Sequence, residues 1–268
     1  MPATEPAELA ELATRLAACV REAGALALSM FGAPLKSWTK GVSSPVSEAD
    51  MAVDTLLRDR LMAAAPGIAW LSEESTDDPA RLDASRVWIV DPIDGTRGYI
   101  AGATDWAVSA ALVENGRPIA ACLFAPVTDE FFMAIAGCGA TRNGAAIATS
   151  PGADLADVRF AGPKNFLERL GTVAPPFTIT PRLHSLALRL ARVAQGEIDA
   201  AIAGGNSHDW DLAAADLLVH EAGGALTPFS GEPLCYNRPV PRHGMLVAAG
   251  RERHTALLEL LKRVPASS

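Results

Sequence analysis

The sequence has no excess of positive charge: 23 Lys and Arg against 31 Asp and Glu give a net charge of −8, and the basic residues are scattered. A nucleic-acid surface needs clustered cations, so no such partner is expected. Cysteine is scarce as well. Cys19, Cys122, Cys138 and Cys235 are widely spaced and form no C-x-x-C pair. That argues for buried free thiols rather than disulfides or a zinc site, and it fits a reducing cytoplasm. No apolar run approaches the ~18 residues that a membrane-spanning helix needs. The segment Met1 to Pro6 has no basic stretch leading into an apolar core, so neither secretion nor a membrane partner is expected. Internal repeats and low-complexity segments are missing too. What the chain does have is 49% apolar residues over 268 positions, enough for one large domain or two lobes sharing a cleft.

The chain is organised around Arg86-Val87-Trp88-Ile89-Val90-Asp91-Pro92-Ile93-Asp94-Gly95-Thr96-Arg97-Gly98. Val87 to Val90 reads as a buried strand, and Pro92 is expected to end it with the Asp91 carboxylate at its tip. Asp94 is close enough to converge with Asp91 in one tight turn. Gly95 removes a Cβ where a ligand could approach, and Thr96 can start a helix whose unpaired N–H groups face an anion. Carboxylates beside a helix start suit a divalent cation shared with a phosphate. The simpler alternative is an acidic turn with a helix cap.

Around this motif the sequence predicts a long amphipathic helix from Ala7 to about Phe31 and an irregular segment over Lys40 to Val46 that is long enough to reach over a site. A second helix should be capped by Ser47, with Asp50 in a capping box. Gly67 to Ser72 reads as a strand running into Glu73-Glu74; if it neighbours the central strand, Glu73 and Asp91 meet. Turns at Asn115-Gly116 and Asn143-Gly144 imply an antiparallel sheet. Past residue 150, short strands near Val158 to Ala161, Ile198 to Ile202 and Met245 to Ala249 alternate with helices from Ser185 and Arg251, as in an α/β lobe. The expected organisation is an N-terminal α+β lobe over 1–150 and a C-terminal α/β lobe over 151–268. In the second, Ser207 or Asp209 can cap a helix through Asp211 and Asp216 that Gly223-Gly224 stops. Asp209 and Asp211 suit a helix's first turn, and His184, His208 and His220 suit core or rim positions.

W-I-V-D-P-I-D-G-T, preceded by S-E-E and followed by W-D-L-A-A-A with E-A-G-G, resembles the inositol monophosphatase family of magnesium-dependent phosphatases. The resemblance implies a layered αβαβα sandwich of the α/β (α+β) class, with the metal site between two lobes. It implies Mg²⁺ held by Glu73, Asp91, the Ile93 carbonyl, Asp94 and Asp211. Thr96 and Asp50 match the pair that positions an attacking water, Glu73 the acceptor of its proton, and Gly95-Thr96 the phosphate cradle. It also implies a homodimer, a small phosphate ester as partner, and inhibition by Li⁺. The family's inositol-binding glutamate is absent from Ile202-Ala203-Gly204-Gly205-Asn206-Ser207. Asp94 to Ile100 and Phe124-Ala125-Pro126 resemble the bisphosphate nucleotidase branch instead, although Ala161-Gly162-Pro163-Lys164 replaces its S-R-S-H. Adenosine 3',5'-bisphosphate is therefore the first expectation, with Lys164 the candidate cation for its second phosphate. Inositol phosphates and histidinol phosphate are alternatives. A non-catalytic metal- or phosphate-binding regulator is the reading from another class, and a lost ligand would support it.

Overall fold

The computed structural model describes residues 4–40 and 44–265. Helix α1, Pro6–Met30, buries Leu12, Leu16, Val20, Ala23 and Ala27 along one stripe, as the spacing predicts. Next, β1 (Ser37–Lys40) and β2 (Ser44–Ser47) pair antiparallel. The sequence predicts no strand there because β1 is exposed throughout and carries no alternation to read. Gly41, Val42 and Ser43 of that expected irregular segment lie outside the described residues. Helix α2, Glu48–Ala64, begins at Ser47 with the expected capping box: the Ser47 amide donates to Asp50 Oδ2 at 2.8 Å.

Then come β3 (Ala69–Ser72), β4 (Arg86–Asp94), the short α3 (Thr96–Ile100), β5 (Ala107–Glu114) and β6 (Arg117–Ala125), followed by β7 (Glu130–Ile135), β8 (Gly139–Arg142) and β9 (Ala145–Ala146). These strands form one seven-stranded sheet in chain order. All neighbours are antiparallel except β3 and β4, whose parallel pairing sets Ser72 opposite Val90. Asn115 and Gly116 have φ of 50° and 78°, and Asn143 and Gly144 have 50° and 80°, the left-handed pair that a tight hairpin demands.

The rest of the chain runs β10 (Val158–Ala161), α4 (Lys164–Leu170), β11 (Phe177–Ile179), α5 (Leu186–Ala194), β12 (Ala200–Ala203), β13 (Ser207–His208), α6 (Asp209–Glu221), β14 (Gly224–Pro228), β15 (Arg242–His243), β16 (Leu246–Gly250) and α7 (Arg251–Leu261). Strands β11, β10, β12, β16 and β14 make a second, five-stranded sheet, while β13 and β15 pair separately.

Strand alternation fixes the layers. On β4, Trp88 and Val90 face α1 and α2, whereas Val87 and Ile89 face a core shared with α5 and α6. On β12, Ala201 and Ala203 join that same middle core, whereas Ala200 and Ile202 pack with Phe166, Leu167 and Leu257 of α4 and α7. The order is therefore helices, sheet, helices, sheet, helices, the expected αβαβα sandwich. The two sheets fall on either side of residue 150 in sequence, and the middle core takes residues from both. Of the cysteines, all free, Cys19 and Cys122 are buried as expected; Cys138 is exposed in a turn and Cys235 is partly exposed.

One tight approach gives a test of packing. A Cβ on Gly24 of α1 would stand 2.2 Å from Phe124 Cδ1 and 3.1 Å from Pro126 Cγ. Gly24→Ala gains helix propensity of about 1 kcal/mol but forces a buried ring to move. The net expectation is a loss of about 1–2 kcal/mol, read from the denaturation midpoint; a raised midpoint would refute it.

Candidate active site

The central strand does not stop at Pro92. Asp91 pairs with Ser109 and Asp94 with Ala107, with a register shift between them. Proline has no N–H to give the ladder, so the strand bulges around Pro92-Ile93 and resumes, rather than ending at Asp91. The bulge brings the two acids to one place. Asp91, Asp94 and Asp211 each offer an oxygen, and these oxygens lie within 4.8 Å of one another. Asp211 comes from the first turn of α6, in the middle helical layer.

Asp94 is held from the second half of the chain. Its Oδ2 accepts hydrogen bonds from the Ser185 hydroxyl at 2.5 Å and the Ala187 amide at 2.6 Å. Ser185, fully buried, also caps α5 by accepting from the Leu188 amide. The helical pattern beginning at Ser185 carried that signal in sequence; its partner Asp94 did not. Gly95 sits at φ 96°, and a Cβ there would meet the Ser185 amide nitrogen at 3.1 Å, so both conformation and contact call for glycine. Helix α3 after it has only five residues. The Thr96 hydroxyl, with one proton, lies 3.0 Å from Asp50 Oδ1 and 2.9 Å from the Ile93 carbonyl.

Because β3 and β4 are neighbours, the Glu73 amide donates to the Val90 carbonyl and Glu73 stands next to Asp91. Burial, then Asp211 and Glu74, push the Glu73 carboxyl up to about 8. Burial and Asp94 push Asp211 to about 7. Asp91 is raised well above the carboxylate range by burial, then by Glu73, Asp94 and Asp211. Burial also raises Asp50, against hydrogen bonds from Ser47 and Thr96 that favour its charged form. These acids cannot all ionise together unless a cation joins them. Asp91 Oδ1 is moreover buried without a hydrogen-bond partner among the described residues, an acceptor whose lone pairs meet no donor. The donor set is all oxygen, which fits a hard divalent cation.

Several residues at the site were not anticipated. Lys40, at the end of β1, donates to the Glu73 carbonyl and stands 3.3 Å from Glu74 Oε2, while Glu74 Oε1 is buried with no partner among the described residues. Asp54, one helical turn past Asp50, accepts from the Ser72 hydroxyl and from Ser75 Oγ at 2.7 Å, pinning the Glu73-Glu74 turn to α2. The four-residue spacing of the two acids was visible; that both faced inward was not.

Other expectations are placed elsewhere. His208, not Ser207 or Asp209, is the N-cap of α6. Asp209 is buried and accepts from the Asn237 amide and His243 Nε2, each at 2.7 Å. Asp216 turns away from the acid cluster, accepts the Tyr236 hydroxyl at 3.0 Å, and is pushed up by burial to about 7. His184 pairs with Asp105, and His220 is exposed. Lys164 opens α4 with its side chain 82% exposed, 3.9 Å from Glu168. No helix among the described residues is long and apolar enough to cross a membrane.

A family model described as "Inositol monophosphatase family" matches residues 7–266, nearly the whole chain. The chain belongs to the inositol monophosphatase family. It is accordingly a phosphatase, a hydrolase of phosphate monoesters. Among curated relatives of this inositol monophosphatase family member, an inositol-1-monophosphatase from Rhizobium meliloti is 33% identical over 236 residues, covering 84% of this chain and 85% of the relative. A 3'-phosphoadenosine 5'-phosphate phosphatase from Mycobacterium bovis is 35% identical over 216 residues, covering 76% and 75%. Identities this similar do not choose between the two activities. Of solved structures, the extragenic suppressor protein suhB from Bartonella henselae superposes with a TM-score of 0.81 at 28% identity, over 93% of this chain and 98% of that one.

Proposed function

We propose that this phosphatase uses Mg²⁺ held by Glu73, Asp91, the Ile93 carbonyl, Asp94 and Asp211 to hydrolyse adenosine 3',5'-bisphosphate, releasing the 3'-phosphate. The observation that carries the reaction is the convergence of Asp91, Asp94 and Asp211, with Asp91 Oδ1 left unpaired in the interior. When bound, the metal neutralises the carboxylates, polarises the phosphoryl group and makes water a competent nucleophile near neutral pH. Thr96 orients the attacking water, and Asp50, 3.0 Å from the Thr96 hydroxyl, holds that hydroxyl in place. Glu73 takes the proton. Asp94, fixed by Ser185 and Ala187, keeps its geometry through turnover, and Gly95 leaves the phosphate a path to the backbone. No protein nucleophile is needed, because water supplies the oxygen that attacks phosphorus while the bond from phosphorus to the ribose 3'-oxygen breaks, and that oxygen takes up a proton to leave as adenosine 5'-monophosphate beside free phosphate.

The substrate reading rests on the turn before α6. Gly204 and Gly205 occupy the region where an inositol-binding glutamate is expected, and a Cβ on either would meet nothing closer than 3.7 Å, Pro163 Cγ in the case of Gly204. A turn without an acid there suits a larger, anionic leaving group. Lys164 follows Pro163 and so flanks this turn, which keeps it as a contact for the far end of the substrate. The same reading gives the protein two lobes divided near residue 150, a homodimeric assembly, a cytoplasmic location and inhibition by Li⁺. Inositol 1-phosphate is the second substrate reading, supported by the relative from Rhizobium meliloti.

The test is phosphate release with Mg²⁺ across adenosine 3',5'-bisphosphate, inositol 1-phosphate, histidinol phosphate and a sugar phosphate. The expected result is the highest kcat/KM on the bisphosphate; a higher value on any monophosphate would refute the substrate assignment.

A further inference from the structure

A two-residue ladder sets an arginine beside the site. In β13 and β15, Ser207 is opposite His243 and His208 is opposite Arg242. Residues directly opposite in an antiparallel pair project from the same face with Cβ atoms about 4.5–5.5 Å apart, so Arg242 and His208 stand side by side. His208 in turn lies over the acid cluster: its amide donates to Asp211 Oδ2 at 2.7 Å, and its Nδ1 is 3.8 Å from the same oxygen. Its ring stacks on Trp210 with centroids 4.6 Å apart and planes 5° from parallel, which fixes the ring's position.

The backbone around Arg242 is clamped on both sides. The Asn206 amide donates to the His243 carbonyl at 3.0 Å, and the Asp209 amide donates to the Pro241 carbonyl at 3.1 Å. His243 Nε2 reaches Asp209 Oδ1 at 2.7 Å. These bonds fasten β15 to the first turn of α6, the turn that carries Asp211. The side chain itself is exposed and has no ion-pair or hydrogen-bond partner among the described residues. Burial lowers the His208 imidazole, and the charge of Arg242 lowers it further, which puts the guanidinium within electrostatic reach of the ring. Arg242 thus leaves a guanidinium without a side-chain partner among the described residues beside a pocket built from carboxylates, in a chain of net charge −8. Lys164, by contrast, already has Glu168 within 3.9 Å.

We propose that Arg242 is the specificity-determining cation of this site, binding the second, non-reacting phosphate of a bisphosphate substrate. The proposal rests on the bisphosphate reading above. Guanidinium matches phosphate in a two-pronged geometry, and a rigid backbone lowers the cost of ordering it. Gly204 and Gly205, on the chain entering β13, put no side chain in the way of a substrate reaching Arg242, and a Cβ there would meet nothing closer than 3.7 Å. Lys164 then serves as a weaker, outer contact.

The experiment compares wild type, Arg242→Ala, Arg242→Lys and Lys164→Ala, all with Mg²⁺, on adenosine 3',5'-bisphosphate and inositol 1-phosphate, with thermal melts to confirm folding. The quantity read is the ratio of kcat/KM on the two substrates. Arg242→Ala should lower that ratio by about 10- to 100-fold, mostly through KM for the bisphosphate, because a charge-assisted bond to phosphate is lost. Arg242→Lys should recover part of it, since charge returns without the fork. A wild type that prefers inositol 1-phosphate overturns the substrate reading and the arginine's role with it. A wild type that prefers the bisphosphate, with the ratio unmoved in Arg242→Ala or moved more by Lys164→Ala, overturns the role of Arg242 alone.

Discussion

Removing divalent metal should bring phosphate release to background. With a chelator in excess, Asp91, Asp94 and Asp211 keep oxygens within 4.8 Å of one another and Asp91 Oδ1 keeps no partner, so the site is left with charge to neutralise and no cation to do it. The nearest cations among the described residues do not close it: Arg189 of α5 acts on Asp94 alone. Lys40 reaches only Glu74 and the Glu73 carbonyl. Restoring Mg²⁺ should restore turnover, and it should raise the melting temperature, because an ion that binds only the folded state stabilises it by mass action. Undiminished turnover in chelator would overturn the metal-dependent reaction, since the clustered carboxylates would then have to act by themselves.

The second large effect is expected from Asp91→Asn, which should abolish turnover while sparing the fold. An amide cannot replace a buried anionic ligand; losses of 10- to 100-fold are usual when a group merely supporting a ligand is changed, and losing the ligand should cost at least about that much. Stability should move the other way in metal-free buffer. Asp91 is raised well above the carboxylate range, Glu73 to about 8 and Asp211 to about 7. A raised folded-state pKa means stability that is complete below the unfolded value and lost as pH climbs through the folded one. The metal-free wild type should therefore weaken between about pH 4 and pH 8. Asp91→Asn removes one contributor, so its melting temperature should equal or exceed that of wild type at pH 7.5, with the advantage fading toward pH 4. Added Mg²⁺ should stabilise wild type more than the variant. A variant that unfolds at pH 7.5 yet works normally per folded molecule would make Asp91 a structural residue.

What the sequence disclosed and withheld divides by range. The central strand, the Ser47 cap and both Asn-Gly turns depend on neighbours a few positions away, and all were legible. Asp50 shows why two local readings need not compete. Its Oδ2 closes the capping box with Ser47 and its Oδ1 meets Thr96, so the same side chain serves the helix and the site. Asp211 does likewise, accepting from the His208 amide while it faces Asp91 and Asp94. A carboxylate has two oxygens, and local spacing accounts for only one. Pro92 misled for the opposite reason: its missing N–H ends a regular ladder, but a bulge lets the strand continue once β5 is alongside. Ser185, Lys40 and Asp54 act through partners 91, 33 and 18 positions away, distances over which no periodicity speaks. The exposed strand β1 and the two-residue strands β13 and β15 are too short or too polar to announce themselves.

The bond from Ser185 to Asp94 also bears on how the protein is made. On the ribosome, β4 emerges with its acids long before the chain that will steady and complete them. Asp94 gains its anchor only when the start of α5 arrives, and the acid cluster is complete only when the first turn of α6 docks beside it. A nascent or prematurely terminated chain ending before residue 211 carries the whole D-P-I-D-G-T signature and yet lacks a site. If the acid cluster is the metal site proposed above, catalytic competence is a late event in synthesis, and fragments that end before residue 211 are expected to release no phosphate.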